Sequence, residues 1–335
     1  MSPMKKDIKR ILIVRLSALG DIVNSAVVLQ FIKKEYPDAE IEWVVERGFA
    51  PLLKDHPLID AVHPIDLKKI KKQKSFSLLK QNISLLRSLD DFDIIIDIQG
   101  LIKSAIVARL AGKNTHGFDK HSSREPLSSL FYKTTSNIAY DENIVKRNCF
   151  VVANGLGFEI SDEMILDKKP IFEYEKSNYL LDAEKKNIAL VIGASWESKK
   201  FPKESVLELC EELKQNSIII WGDDEEKEVA EWIAQNSDYA SVAPKLSLSE
   251  LVSFISNVDL LIGNDTGPTH MAWAQNIASI TLFGPTTTRM IYETPKNIGI
   301  KSPSKVDIFN IDKNDFSINE IKVSDIVTKA RELLK

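Results

Sequence analysis

The sequence predicts two doubly wound α/β units, each a parallel sheet covered by helices, with a ligand cleft between them. Three observations predict this. Short, uninterrupted apolar runs alternate with amphipathic stretches, as buried parallel strands alternate with crossover helices. The alternation stops after the middle of the chain and restarts near Ile188. The length of 335 residues is enough for two separate cores.

Taken in order, Ile11 to Leu16 reads as a buried strand, Ser17 to Gly20 as a turn, and the following stretch as a helix running to about Tyr36. Ile41 to Val45 is the next strand. Ile94 to Ile98 is another, entered past Asp90, Asp91 and Asp93, and a helix follows from about Leu101 to Gly112. In the second half, strands are expected at Ile188 to Ile192, Ser217 to Trp221, Leu260 to Gly263 and Ile280 to Phe283, with helices at Lys203 to Lys214 and Leu248 to Ile255. Residues 1–165 form the first Rossmann-like domain, 166–186 a polar linker and 187–315 the second domain. Residues 316–335 are read as a C-terminal helix packing back on the first domain, since Ser324 to Leu334 has apolar positions at helical spacing. Such sheets bind ligands beyond the carboxyl ends of their strands.

Composition narrows the function classes. The hydrophobic fraction of 44% and charged fraction of 27% belong to a globular chain, and a formal charge of -4 excludes a whole-surface nucleic-acid binder. Cys149 and Cys210 follow no metal-ligand spacing and read as buried, reduced thiols in helices. The first apolar run is short, is interrupted by Arg15 and has no cleavage site after it, so no secretory signal is expected. No stretch is long enough to span a bilayer, which restricts any membrane contact to the surface.

Four segments carry chemistry. In Leu16 to Asp21, Gly20 permits close approach or positive φ, and Asp21 sits at the mouth of the first strand. It is either a first-turn acid favoured by the helix dipole or a general base for a hydroxyl. Gly263 to His270 is the most specific segment. Pro268 marks a helix start, Asp265 or Thr266 is suited to cap it, and the N–H groups of Thr266 and Gly267 suit a diphosphate. His270 falls in the first turn, as either a structural or a functional histidine. Gly193 to Pro202 follows a strand and offers Ser195 and Lys199 to phosphate oxygens. The lysines at positions 68, 69, 71, 72 and 74 precede Phe76, Leu78 and Leu79, as either a solvated face or an anionic-surface contact. Neither a G-x-G-x-x-G fingerprint nor a Walker loop is present, which argues against a dinucleotide-dependent oxidoreductase.

Together these segments resemble the lipopolysaccharide heptosyltransferases, over nearly the whole chain from Ile11 to about Tyr292. The specific parts are SALGD at Ser17 to Asp21, WVVERGFA at Trp43 to Ala50, IDIQGLIKSA at Ile96 to Ala105, SREPLSSLFY at Ser123 to Tyr132, NDTGPTHMAWA from Asn264, and FGPT at Phe283 to Thr286. SREPLSSLFY and the lysine run favour the type I enzymes over type II. The resemblance implies a GT-B fold and an inverting transfer of heptose from ADP-L-glycero-β-D-manno-heptose to the Kdo residue of Kdo2-lipid A. It implies a cytoplasmic enzyme peripheral to the inner membrane, with no cofactor or metal, no nucleic acid and no stable protein partner.

By position, the resemblance makes Asp21 the catalytic base. Ser195 and Lys199 would hold the donor phosphates, Glu226 the ribose, Leu246 the adenine, and Asp265, Thr266, Gly267 and His270 the diphosphate and heptose. Lys68, Lys69, Lys72 and Arg124 would meet the acceptor on the first domain. Ala194 departs from the pattern, standing where relatives often place a second hydroxyl. The competing class is a non-catalytic nucleotide- or glycolipid-binding module, which leaves Asp21 without a role.

Overall fold

The computed structural model describes residues 8–89, 91–175 and 180–335, so Asp90 and residues 176–179 of the expected linker lie outside the described residues. The chain divides into two compact units between Ile171 and Phe172.

The first unit runs β1 (Arg10–Val14), α1 (Leu19–Ala26), α2 (Val28–Glu35), β2 (Glu40–Glu46), α3 (Ala50–Leu53), β3 (Ala61–Ile65), α4 (Leu67–Gln73) and α5 (Phe76–Arg87). It continues with β4 (Ile94–Asp97), α6 (Ile102–Ala111), β5 (Thr115–Phe118), β6 (Thr134–Ser136), α7 (Ile144–Leu156) and α8 (Asp162–Leu166). Its sheet is parallel, in the order β3-β2-β1-β4-β5-β6. The strands read as uninterrupted apolar runs because both faces are covered, and Ile11, Leu12, Ile13 and Val14 are fully buried. Residue Val27 divides the long first helix in two. Gly20 is corrected: it is the second residue of α1, buried and helical, with no left-handed turn.

The second unit runs β7 (Asn187–Val191), α9 (Lys203–Leu213), β8 (Asn216–Ile220), α10 (Asp224–Gln235), β9 (Ala240–Val242) and α11 (Leu248–Ile255). It closes with β10 (Leu260–Asn264), α12 (Gly267–Ala274), β11 (Ala278–Phe283), β12 (Asn297–Lys301) and α13 (Val323–Leu333). The sheet order is β12-β11-β10-β7-β8-β9, again parallel. Polar caps set the helix starts. Asp223 accepts from Glu226 N at 3.0 Å, and Ser247 and Glu250 bond reciprocally ahead of α11.

Two boundary expectations are revised. The segment after α8 is not a free polar linker throughout, because Phe172 is buried and its backbone N–H and C=O both bond to the Gln275 amide, at 3.0 and 2.9 Å. The C-terminal helix belongs to the second unit. Its apolar stripe of Ile326, Val327 and Ala330 joins the core of the second, against α9 and β11. Both cysteines are buried thiols in helices, as expected, and burial raises both pKa values, that of Cys210 to about 11.

Two buried histidines give the first unit an acid-sensitive window. His56 donates from Nε2 to Ile171 O at 2.8 Å and accepts Leu58 N–H at Nδ1, which sets its neutral tautomer. His116 is held between Thr134 and Ser136, both at 2.8 Å. Burial lowers each pKa to about 4. The unfolded chain therefore binds more protons between the ordinary histidine pKa and about 4, and stability falls as pH falls through that window. The loss should approach ~3 kcal/mol for each histidine by pH 4. Denaturation midpoints of the first unit should drop accordingly between pH 7 and pH 4.5, and a flat profile would contradict this account.

Candidate active site

In the first unit the sheet order reverses between β1 and β4, and the crevice at such a switch point is where these folds take ligands. Asp21 lies on α1 just past the end of β1. Its Oδ1 meets Arg15 Nη2 at 2.7 Å and its Oδ2 accepts the Ala18 N–H at 3.1 Å, while the side chain stays 28% exposed. Arg15 is itself buried and anchored by Nη1 to Ile98 O at 2.6 Å, on the loop after β4. The carboxylate is thus oriented from two sides and keeps lone pairs open to solvent. From the same β4 loop, Gln99 accepts Leu16 N–H at 2.9 Å and Lys103 reaches Ser17 Oγ at 3.4 Å.

The remaining residues expected in this unit lie on two further elements, and the loop of Arg124 is tied to the start of α6, past the end of β4, by Glu125, which accepts the Ile102 N–H at 2.7 Å. Lys68, Lys69 and Lys72 are exposed on α4, after the edge strand β3, and Lys68 Nζ stands 4.8 Å from the Phe49 ring centroid. Arg124 is exposed in the loop between β5 and β6.

In the second unit the reversal lies between β7 and β10, and their two following loops meet there. Asp265 organises the meeting. It is buried, accepting from Lys199 Nζ at 2.8 Å and Thr286 Oγ1 at 2.9 Å, with His270 Nε2 at 3.2 Å. Burial raises its pKa, but Lys199 and His270 outweigh that and hold it well below the usual carboxylate range. Asp265 therefore does not cap α12. Thr266 occupies the cap position without a side-chain bond, so no side-chain cap consumes the leading N–H groups. Asn264 ties the loops together, donating to Ile192 O at 2.9 Å and accepting Phe201 N–H at 3.1 Å.

Three buried polar atoms in the first loop and the first turn of α12 have no hydrogen-bond partner: Trp196 Nε1, Ser198 Oγ and His270 Nδ1. Buried orphans are rare in native folds and point to a group that binds there. Ser195 is exposed on the first of the loops, and the Lys199 ammonium retains donors beyond the one given to Asp265. Lys200 is paired instead with Glu197 at 2.7 Å.

Glu226 projects from the first turn of α10 back to Gly222 N at 2.6 Å, and its carboxylate covers Gly193. A methyl at Gly193 would lie 2.5 Å from the Glu226 carboxyl carbon, so the glycine is needed for close approach. Gly193→Ala should displace that carboxylate with little loss of stability and, if Glu226 holds the donor ribose as the resemblance implies, weaken ADP binding about tenfold. Titration calorimetry of the variant with ADP checks this, and wild-type affinity would contradict it. Leu246 is half-buried past β9, next to Lys245, whose ammonium bonds to Gly222 O.

Sequence reasoning missed Arg15, Asn264, Ser198 and Thr286 as parts of the site. For Arg15 a signal was present: a charge closing an otherwise apolar strand needs a buried partner, and Asp21 is the nearest acid in sequence.

Comparison with known proteins fits this geometry. Residues 83–304 match the family model of glycosyltransferase family 9 (heptosyltransferase). The chain is 40% identical to lipopolysaccharide heptosyltransferase 1 of Campylobacter coli, over 97% of this chain and 98% of that protein. Its structure superposes on the Escherichia coli heptosyltransferase WaaC with ADP at a TM-score of 0.80, with 26% identity, covering 97% of this chain and 99% of that one. The same enzyme with ADP-2-deoxy-2-fluoro heptose gives 0.79 and 25%, covering 96% and 99%.

Proposed function

The chain belongs to glycosyltransferase family 9, the heptosyltransferases, and from that premise we propose that it transfers L-glycero-D-manno-heptose from ADP-heptose to the Kdo residue of Kdo2-lipid A, inverting the anomeric centre. The observation that carries the donor half is the set of partnerless buried atoms beside Lys199 and the uncapped start of α12, an anion site built from backbone and side chain. Asp21 carries the acceptor half.

In this reading the Kdo hydroxyl attacks the anomeric carbon, Asp21 takes its proton, and the bond to the β-phosphate oxygen breaks on the opposite face. Charge growing on the leaving diphosphate meets Lys199, Ser195, His270 and the N–H groups of Thr266 and Gly267, where fixed dipoles act most strongly. Glu226 holds the ribose, Leu246 borders the adenine, and Asp265 keeps Lys199 and His270 in place. Every step is assigned to a side chain or backbone group, with no cofactor. The lipid anchor of the acceptor brings the enzyme to the cytoplasmic face of the inner membrane.

ADP release from ADP-heptose should require Kdo2-lipid A and should not be supported by its heptosylated product. Preference for the heptosylated acceptor would overturn the assignment. A second measurement concerns the lysines. Lys68, Lys69 and Lys72 would meet the carboxylates and phosphates of the acceptor, each contributing ~1 kcal/mol at low salt. Replacing all three with Ala should raise the acceptor KM by at least ~10-fold at low salt, less at moderate salt, and leave the donor KM unchanged. An unmoved acceptor KM would return these lysines to the status of a solvated face.

A further inference from the structure

We propose that the first unit docks on an anionic lipid surface through the exposed apolar side chains of the 3₁₀ turn Pro126–Phe131 and of the start of α5, which directly follows the lysines of α4. The proposal rests on the reading that the acceptor is lipid-anchored.

The fold holds these side chains outward. Leu127 and Leu130 are 61% and 77% exposed, and three residues per turn put both on one side of the 3₁₀ turn. Phe76 and Leu79, 77% and 37% exposed, share a face of α5 at i and i+3. Helix α6 packs against both elements, and its Ile106 is 41% exposed. The inner faces of α5 and α6 are already committed, since Leu86, Val107, Ala108 and Ala111 pack into the core under this side of the sheet. The 3₁₀ turn is held by the Tyr132 hydroxyl, which donates to buried Asp97 at 2.7 Å, and by buried Ser128. These leucines therefore cannot fold inward, and their exposure is part of the native state.

Charge selects the partner. Residues 67–89 contain Lys68, Lys69, Lys71, Lys72, Lys74, Lys80 and Arg87 and no acid. Lys103 and Arg109 lie on α6, and Arg124 and Lys133 bracket the 3₁₀ turn. Glu125 is the one acid between Arg124 and Lys133, and its carboxylate is occupied by Ile102 N–H at 2.7 Å. In a chain of net charge -4 this is a local reversal of sign. Apolar side chains ringed by ammonium groups match the acyl boundary and headgroup layer of an anionic leaflet. A second copy presenting the same surface would be repelled.

The test uses the full chain and the double variant Leu127→Ser/Leu130→Ser, whose sites are exposed and outside the donor and base machinery. Sedimentation with phosphatidylglycerol-containing vesicles should pull down the wild type, pure phosphatidylcholine vesicles should not, and the double variant should bind the anionic vesicles roughly tenfold more weakly. In a separate Leu130→Trp variant, emission should shift to the blue on addition of anionic vesicles. Turnover of a short-chain, water-soluble acceptor should be equal in wild type and double variant. Equal vesicle binding by the two proteins, or no spectral shift, would overturn the apolar contact. So would a concentration-dependent dimer that the double variant loses, which would make these side chains a self-association surface. Failure of the wild type to turn over the soluble acceptor would strike the proposed reaction and leave the vesicle result readable on its own.

Discussion

Asp21→Asn is expected to lower kcat by ~100-fold or more while ADP binds as in the wild type. The substitution keeps the shape of the side chain, and an amide oxygen can still accept from either Arg15 Nη2 or the Ala18 N–H. What is lost is the basic lone pair proposed to take the acceptor proton. Donor affinity should hold, because the groups assigned to ADP lie on the second unit. Arg15→Ala should lower kcat in the same direction by freeing the carboxylate to rotate, and Arg15→Lys should restore part of the rate. Steady-state ADP release together with calorimetric titration of ADP separates the effects. If the Asn variant kept more than about a tenth of the wild-type rate, Asp21 would be a helix-terminal acid and not the base.

The second large effect is expected at Asp265, and it is one of stability first. Asp265→Asn removes the charge that neutralises Lys199, whose ammonium is buried at the same point. Breaking one side of a buried ion pair typically costs about 3–5 kcal/mol, because the remaining charge is left without compensation. A drop of the second unit's Tm by roughly 10 °C should follow. Lys199→Ala should show a similar loss for the mirror-image reason, in addition to weaker ADP binding. The lysine therefore cannot be read as a phosphate ligand from its alanine variant alone. The pH dependence has a definite sign. A carboxylate held below its ordinary range contributes stability that is complete above the unfolded pKa near 4 and disappears only as pH falls through the depressed value. Acid sensitivity between pH 6.5 and 4 should consequently belong to His56 and His116 in the first unit. Thermal scans of Asp265→Asn at neutral pH decide the main point, and an unchanged Tm would show that the pair contributes nothing net.

Much of this architecture was legible because buried parallel strands must be apolar without alternation. Ile11–Val14, Ile188–Val191 and Leu260–Ile262 could hardly be anything else. Strands at the sheet margins were not visible. β5 is Thr-His-Gly-Phe and β6 is Thr-Thr-Ser, and their burial depends on neighbours far along the chain, including the His116 bonds to Thr134 and Ser136. Helix α7 was anticipated only as a helical setting for Cys149, without bounds, for a similar reason. Its inward face includes Arg147 and Asn148, polar residues satisfied only in the fold, as when Arg147 donates to Ser122 O and Asn148 to Ser25 Oγ.

The sequence alone determined the strand-helix alternation, the doubling into two units, and the two glycine-bearing loops after β7 and β10, since periodicity and turn chemistry are local properties. Tertiary structure alone decided what the charged residues of those loops do. Asp265 had the spacing of a cap and became the hub of Lys199, His270 and Thr286, because residues 66 and 21 positions away arrive at the same strand ends. Arg15 had the look of an interruption and became the partner of Asp21. Burying a charge is unfavourable without a counter-charge, and only the folded chain brings one within reach.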